Sequence, residues 1–183
     1  MLVAKQVADL ITFTRSLLGV FLAWLGFEQG KEGLILATWL LLLDWTGDLF
    51  DGRIARRSRI HYHSWIGDRD LEVDMVVSAG LLFYLVASGF LNAWAAIFYI
   101  LLWGAIFWRL GIPRSLGMLF QAPIYASFIW ISIQNTPLAG YWILLWILVA
   151  IIGTWPLFPK TVVPGFLQGI REALLSRYHA NNH

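Results

Sequence analysis

The chain has 183 residues, of which 59% are hydrophobic and 13% charged, with 11 Trp and a mean hydropathy of +0.69. Such a composition excludes an ordinary soluble domain, and at about 20 residues per crossing it leaves room for roughly six membrane helices and no sizeable soluble unit. There is no cysteine, which excludes disulfides, thiolate nucleophiles and thiolate metal ligands, and the net charge is only +2.

The opening "MLVAKQVADLITFTRSLLG" carries Arg15 inside its apolar stretch and lacks an A-x-A cleavage site, so it reads as a retained first helix. Helices are expected near 10–27, 34–57, 68–88, 92–109, 115–134 and 139–158. The third and fourth form one apolar stretch too long for a single span, and "ASGFLNAW" (87–94) supplies the turn between them. In the tail, "GFLQGIREALLSRYHA" (165–180) spaces Phe166, Ile170, Leu174 and Leu175 helically between charges, as an amphipathic surface helix does. The expectation is one all-α membrane domain over 1–183 with six transmembrane helices and a C-terminal amphipathic helix.

Orientation follows from the basic residues. With both termini cytoplasmic, twelve of the thirteen Lys and Arg fall on the cytoplasmic side and only Lys31 falls outside, a strong positive-inside bias. Residues 44–74 concentrate charge: seven of the eleven acidic residues (Asp44, Asp48, Asp51, Asp68, Asp70, Glu72, Asp74) lie there with five of the basic ones.

Positions three and four apart share a helix face, so Asp44, Asp48, Asp51 and Ala55 form one stripe with Gly52 and Arg56 beside it. Asp70 and Asp74 stack in the same way on the next helix. The short linker between the two helices makes them antiparallel neighbours whose acidic faces can meet at the cytoplasmic end. Converging carboxylates in a poor dielectric repel one another unless a cation neutralises them. All-oxygen donors suit Mg²⁺ or Mn²⁺ as cofactor, with Ca²⁺ also compatible. Gly52 and Ala55 clear space, and Arg56 offers a donor fork to phosphate. Asp44, one turn before this group, can pair with Arg15 across helices, while His61 and His63 read as an interfacial loop pair. Asp68 and Glu72 alternate with the other carboxylates and point to water or headgroups.

The string Asp48-Leu-Phe-Asp51-Gly52-Arg-Ile-Ala55-Arg56, followed by Gly67 and Asp70-Leu-Glu-Val-Asp74, resembles the signature D-x-x-D-G-x-x-A-R…G-x-x-x-D-x-x-x-D of the CDP-alcohol phosphotransferases. Thr12-Phe-Thr-Arg15 is similar to the T-x-x-R near the start of many members. Two residues, Asp68 and Arg69, stand between Gly67 and Asp70 where the signature has three. The resemblance implies six transmembrane helices, a homodimer and transfer of a phosphatidyl group from a CDP-linked lipid to a small alcohol acceptor, with membrane lipids around it and no nucleic acid as partner. It implies Asp48, Asp51, Asp70 and Asp74 as metal ligands, Asp74 also as general base, and Gly52, Ala55, Arg56, Thr12 and Gly67 along the CDP part. Arg109 and Arg114 are the candidates for a phosphorylated acceptor, with Arg109 read either as an acceptor contact buried beside the site or as a topological charge; "RSLGMLFQAP" (114–123) lacks the lysine expected of a typical glycerophosphate transferase. The topology is compatible with a bacterial inner membrane and a cytoplasmic active site. A cation transporter, or a CDP-lipid binder without turnover, is the alternative reading of the same carboxylates.

Overall fold

A computed structural model describes the backbone of residues 2–57, 70–155, 160 and 164–169, and the side chains of 10–50, 71–155, 160 and 164–169. Among the described residues the chain is helical, with no strand. The elements are α1 (Leu2–Glu28), a 3₁₀ turn (Gly30–Gly33), α2 (Leu34–Arg57), α3 (Asp70–Ala87), α4 (Ala93–Leu110), α5 (Arg114–Asn135) and α6 (Pro137–Gly153).

Among the described residues, four stretches are long and apolar enough to cross a membrane: Leu10–Glu28, Gly30–Phe50, Ala93–Leu110 and Arg114–Asn135. The expected count of six is thereby met in helices but not in crossings of this kind. α3 carries Asp70, Glu72 and Asp74 within its 18 residues, and α6 has only 17 residues. α1 begins well before residue 10, and α6 stops at Gly153 rather than 158. Of the expected amphipathic tail, 164–169 is helical and the remainder lies outside the described residues.

Local chemistry explains the turns. α3 ends where Gly89 takes φ 71°, and Phe90 N–H donates back to the Leu85 carbonyl at 2.9 Å, the closure that a left-handed glycine permits. Asn92 then caps α4 by accepting from Trp94 N–H at 2.8 Å. Proline occupies the first position of α6, where its missing N–H costs no helical bond.

Packing centres on α1, α2 and α3. A Cβ on Gly80 would lie 2.0 Å from the Gly19 carbonyl oxygen, and one on Gly19 would lie 2.8 Å from the Val76 carbonyl. Backbone therefore touches backbone where α1 crosses α3, as small residues allow between membrane helices. Further along, Gly26 faces Tyr84 and Ala87, so the two helices run in the same direction. α2 returns antiparallel, with Gly33 against Leu25 at one end and Gly47 against Arg15 at the other. Leu22, Leu25, Leu41, Val77, Leu81, Tyr84, Leu85 and Phe128 fill the core between them.

α5 runs alongside α3 in the same direction: Gly117 meets Leu71, and Phe128 meets the Tyr84 ring edge-on at 6.4 Å. α4 is peripheral. Trp103 is its one buried residue, and Tyr99, Trp103 and Phe107 attach it to Phe120 of α5. Large apolar side chains such as Phe27, Trp94, Phe98, Leu148 and Ile152 cover the outside of the bundle, which suits a hydrocarbon surrounding.

Candidate active site

Thr12, Arg15, Gly19 and Leu22 lie on one buried face of α1, the face turned to α2 and α3. A guanidinium placed there must find anions, because burial in an apolar bundle removes the water that would otherwise solvate it. Arg15 finds three. Its Nε donates to Asp44 Oδ1 at 2.9 Å, one terminal nitrogen donates to Asp48 Oδ1 at 2.9 Å, and the other donates to Asp74 Oδ1.

The three carboxylates differ in access. Arg15 and Asp44 are 3% and 1% exposed, whereas Asp48 and Asp74 are 44% and 28% exposed. Asp44 is thus sealed beside the guanidinium, and the other two are partly exposed. Gly47, between the two α2 carboxylates, lies against this arginine: a Cβ there would sit 3.4 Å from both Arg15 Cδ and Ile11 Cγ2, in van der Waals contact with the arginine stem.

The expected convergence of α2 and α3 is therefore present for Asp48 and Asp74, which meet on one cationic group, and the expected Asp44–Arg15 pair is present as well. Asp51, Gly52, Ala55 and Arg56 lie in the last turns of α2 and Asp70 opens α3, but their side chains lie outside the described residues. Gly67, Asp68, His61 and His63 lie wholly outside them. Among the described residues, no group of three or more His, Cys, Asp or Glu gathers closely enough to hold a metal ion. Asp48 and Asp74 supply two carboxylates from two helices, the donor type that Mg²⁺ and Mn²⁺ prefer, so the residues described fit half of the expected ligand set.

Other expectations are placed or corrected. Thr12 is buried one turn before Arg15, and Glu72 is exposed as its alternation implied. Arg109 is exposed, not buried: it stands in the last turn of α4, whose side chains mostly face outward because only the aromatic stripe binds that helix to α5. Arg114 is the exposed first residue of α5.

Two α5 residues were missed by sequence reading. Tyr125 packs edge-on against Trp45 at 5.4 Å and lies close enough to Asp44, Asp74 and Arg15 to feel their charges. Gln121, one turn earlier on α5, is 8% exposed, and its Nε2 has no hydrogen-bond partner among the described residues. Since Gly117 is level with Leu71, the next turn of α5 brings Gln121 level with Asp74. The available signal was a polar side chain inside an apolar helix, which a membrane protein seldom keeps without use. Trp45 also meets Trp146 at 5.3 Å, and Trp146 Nε1 donates to Thr46 Oγ1 at 3.0 Å, fastening α6 beside the site.

Comparison with curated proteins and with solved structures returned no match. The family model described as CDP-alcohol phosphatidyltransferase matches residues 5–156, a span that includes every candidate site residue from Thr12 to Arg114. With that model covering most of the chain, this protein belongs to the CDP-alcohol phosphatidyltransferase family.

Proposed function

We propose that this chain transfers the phosphatidyl group of a CDP-linked lipid, CDP-diacylglycerol, to the hydroxyl of a second alcohol at the cytoplasmic face of a bacterial inner membrane. The new bond joins the acceptor oxygen to the phosphatidyl phosphorus; the bond from that phosphorus to the CMP oxygen breaks, and CMP leaves with the electron pair. The observation that carries this reading is the meeting of Asp48 and Asp74, partly exposed carboxylates from two helices of the family signature, on Arg15.

The chain's residues divide the work. Asp48, Asp51, Asp70 and Asp74 hold Mg²⁺ or Mn²⁺, which when bound neutralises the diphosphate and the departing phosphate. Thr12, Gly52, Ala55, Arg56 and Gly67 line the CDP part. Asp74 takes the acceptor's proton, as a carboxylate within hydrogen-bond reach of a hydroxyl can. Six crossings with both termini inside keep the basic residues and the nucleotide on one side, with acyl chains in the bilayer.

Purified protein in detergent, given CDP-diacylglycerol, Mn²⁺ or Mg²⁺ and a panel of serine, inositol, inositol phosphate and glycerol 3-phosphate, is expected to release CMP with at least one acceptor and to stop on chelation. No CMP release with any acceptor, or release unaffected by chelation, would overturn the reading.

Gln121 supplies a donor for a polar oxygen of the acceptor. Gln121→Leu is expected to raise the acceptor's KM by about tenfold, the loss of roughly one buried hydrogen bond, while the KM for CDP-diacylglycerol stays within about twofold. Steady-state kinetics with each substrate varied in turn separates the two; equal changes in both KM values would refute the assignment.

A further inference from the structure

Asp44 stands one turn outside the family signature, yet it is the most deeply buried carboxylate described, and it holds the nitrogen of Arg15 nearest the arginine stem. The two terminal nitrogens are thereby turned to Asp48 and Asp74. A positive group that touches two metal-binding carboxylates is a liability by itself, since it repels any cation those carboxylates are to hold. Its repulsion is poorly screened, because the arginine is 3% exposed and water cannot surround it.

We infer that Asp44 is a charge-compensating positioning residue: it cancels the charge of Arg15, so that the guanidinium can tie α2 to α3 at Asp48 and Asp74 without opposing the divalent cation bound there. The inference rests on the proposed metal role of Asp48 and Asp74. Three features support a dedicated pair. Both members are sealed from water, so neither can be neutralised by solvent. The arginine stem packs against α2 at Gly47, between the two α2 carboxylates. The α1–α3 crossing at Gly19 and Gly80, one to two turns from Arg15 and Asp74, leaves the guanidinium little freedom to move away.

Compensation has a signature that ordinary structural support lacks, because the two single substitutions act with opposite sign. Asp44→Asn keeps the shape and leaves the arginine charge uncancelled, so Mn²⁺ binding weakens at least about tenfold. Arg15→Gln leaves an extra negative charge near the cation, so Mn²⁺ binding is unchanged or tighter. In the Asp44→Asn, Arg15→Gln double variant both charges are gone, and affinity returns to within about threefold of wild type. Asp44→Glu, which keeps the charge, also stays within about threefold.

Mn²⁺ titration of the purified proteins in detergent, followed by electron paramagnetic resonance of the free ion, measures these affinities directly, and thermal unfolding of each variant verifies that it is folded. Wild-type affinity in Asp44→Asn overturns the inference. So does weakening by both single substitutions with no recovery in the double variant, which would make Asp44 a ligand or a mere strut; a loss in Asp44→Glu equal to that in Asp44→Asn does the same. Failure of the wild type to bind Mn²⁺ at all removes the metal role on which both this inference and the proposed function stand, an outcome distinct from the others.

Discussion

Asp74→Asn is expected to lower kcat for CMP release by about 10³-fold, within the range that a positioned general base supplies. The substitution preserves shape, and the side-chain oxygen that accepts from Arg15 remains. It removes the charge that binds a cation and the basicity that takes a proton. Asp74 is 28% exposed, so the amide can be hydrated and need not unsettle the fold. The melting temperature of the variant should therefore stay near that of the wild type while turnover collapses. Stopped or discontinuous assays of CMP release under saturating CDP-diacylglycerol make the comparison. A variant that keeps more than about a tenth of wild-type kcat would show that the acceptor's proton goes elsewhere.

The second large effect lies in the scaffold. Gly80→Ala places a methyl group 2.0 Å from the Gly19 carbonyl oxygen, which is backbone and cannot swing aside. The two helices must separate, and overpacking of this kind costs about 1–3 kcal/mol or more. A fall in melting temperature of roughly 5–10 °C is expected for a chain of this size. The same separation moves α1 away from α3 next to the Arg15–Asp74 bond, so CMP release should fall together with stability, unlike in Asp74→Asn. Gly104, in contrast, has open space where a Cβ would go, and Gly104→Ala should change neither property. Thermal unfolding in one detergent, read beside the CMP assay, separates the three variants. An unshifted melting temperature for Gly80→Ala would show that the α1–α3 crossing is looser than backbone contact.

The pairing of Asp44 with Arg15 could be read from sequence, because an ionised side chain inside an apolar run must find an opposite charge, and few were on offer. The spacing of Asp48 with Asp51 and of Asp70 with Asp74 was legible for a geometric reason: residues three or four apart share a helix face wherever the helix goes. Helix ends were legible where Gly89, Asn92 and Pro137 impose local backbone chemistry. Arg109 was misread. Its apolar neighbours Trp108 and Leu110 implied burial, but an apolar flank in a membrane helix can face lipid as readily as protein, and α4 turns most of its surface outward.

Composition, helical spacing and the signature aspartates thus determined, from sequence alone, an all-helical membrane protein and which carboxylates could act together, since these properties depend on solvent preference and on residues within one or two turns. Tertiary structure alone decided that Arg15 would stand between α2 and α3, that Gly19 would admit Gly80, and that Gln121 would come level with Asp74 with Tyr125 one turn beyond. Those contacts join residues about 30 to 60 positions apart, and their partners are chosen by how closely helix backbones can approach, a quantity that no single helix encodes.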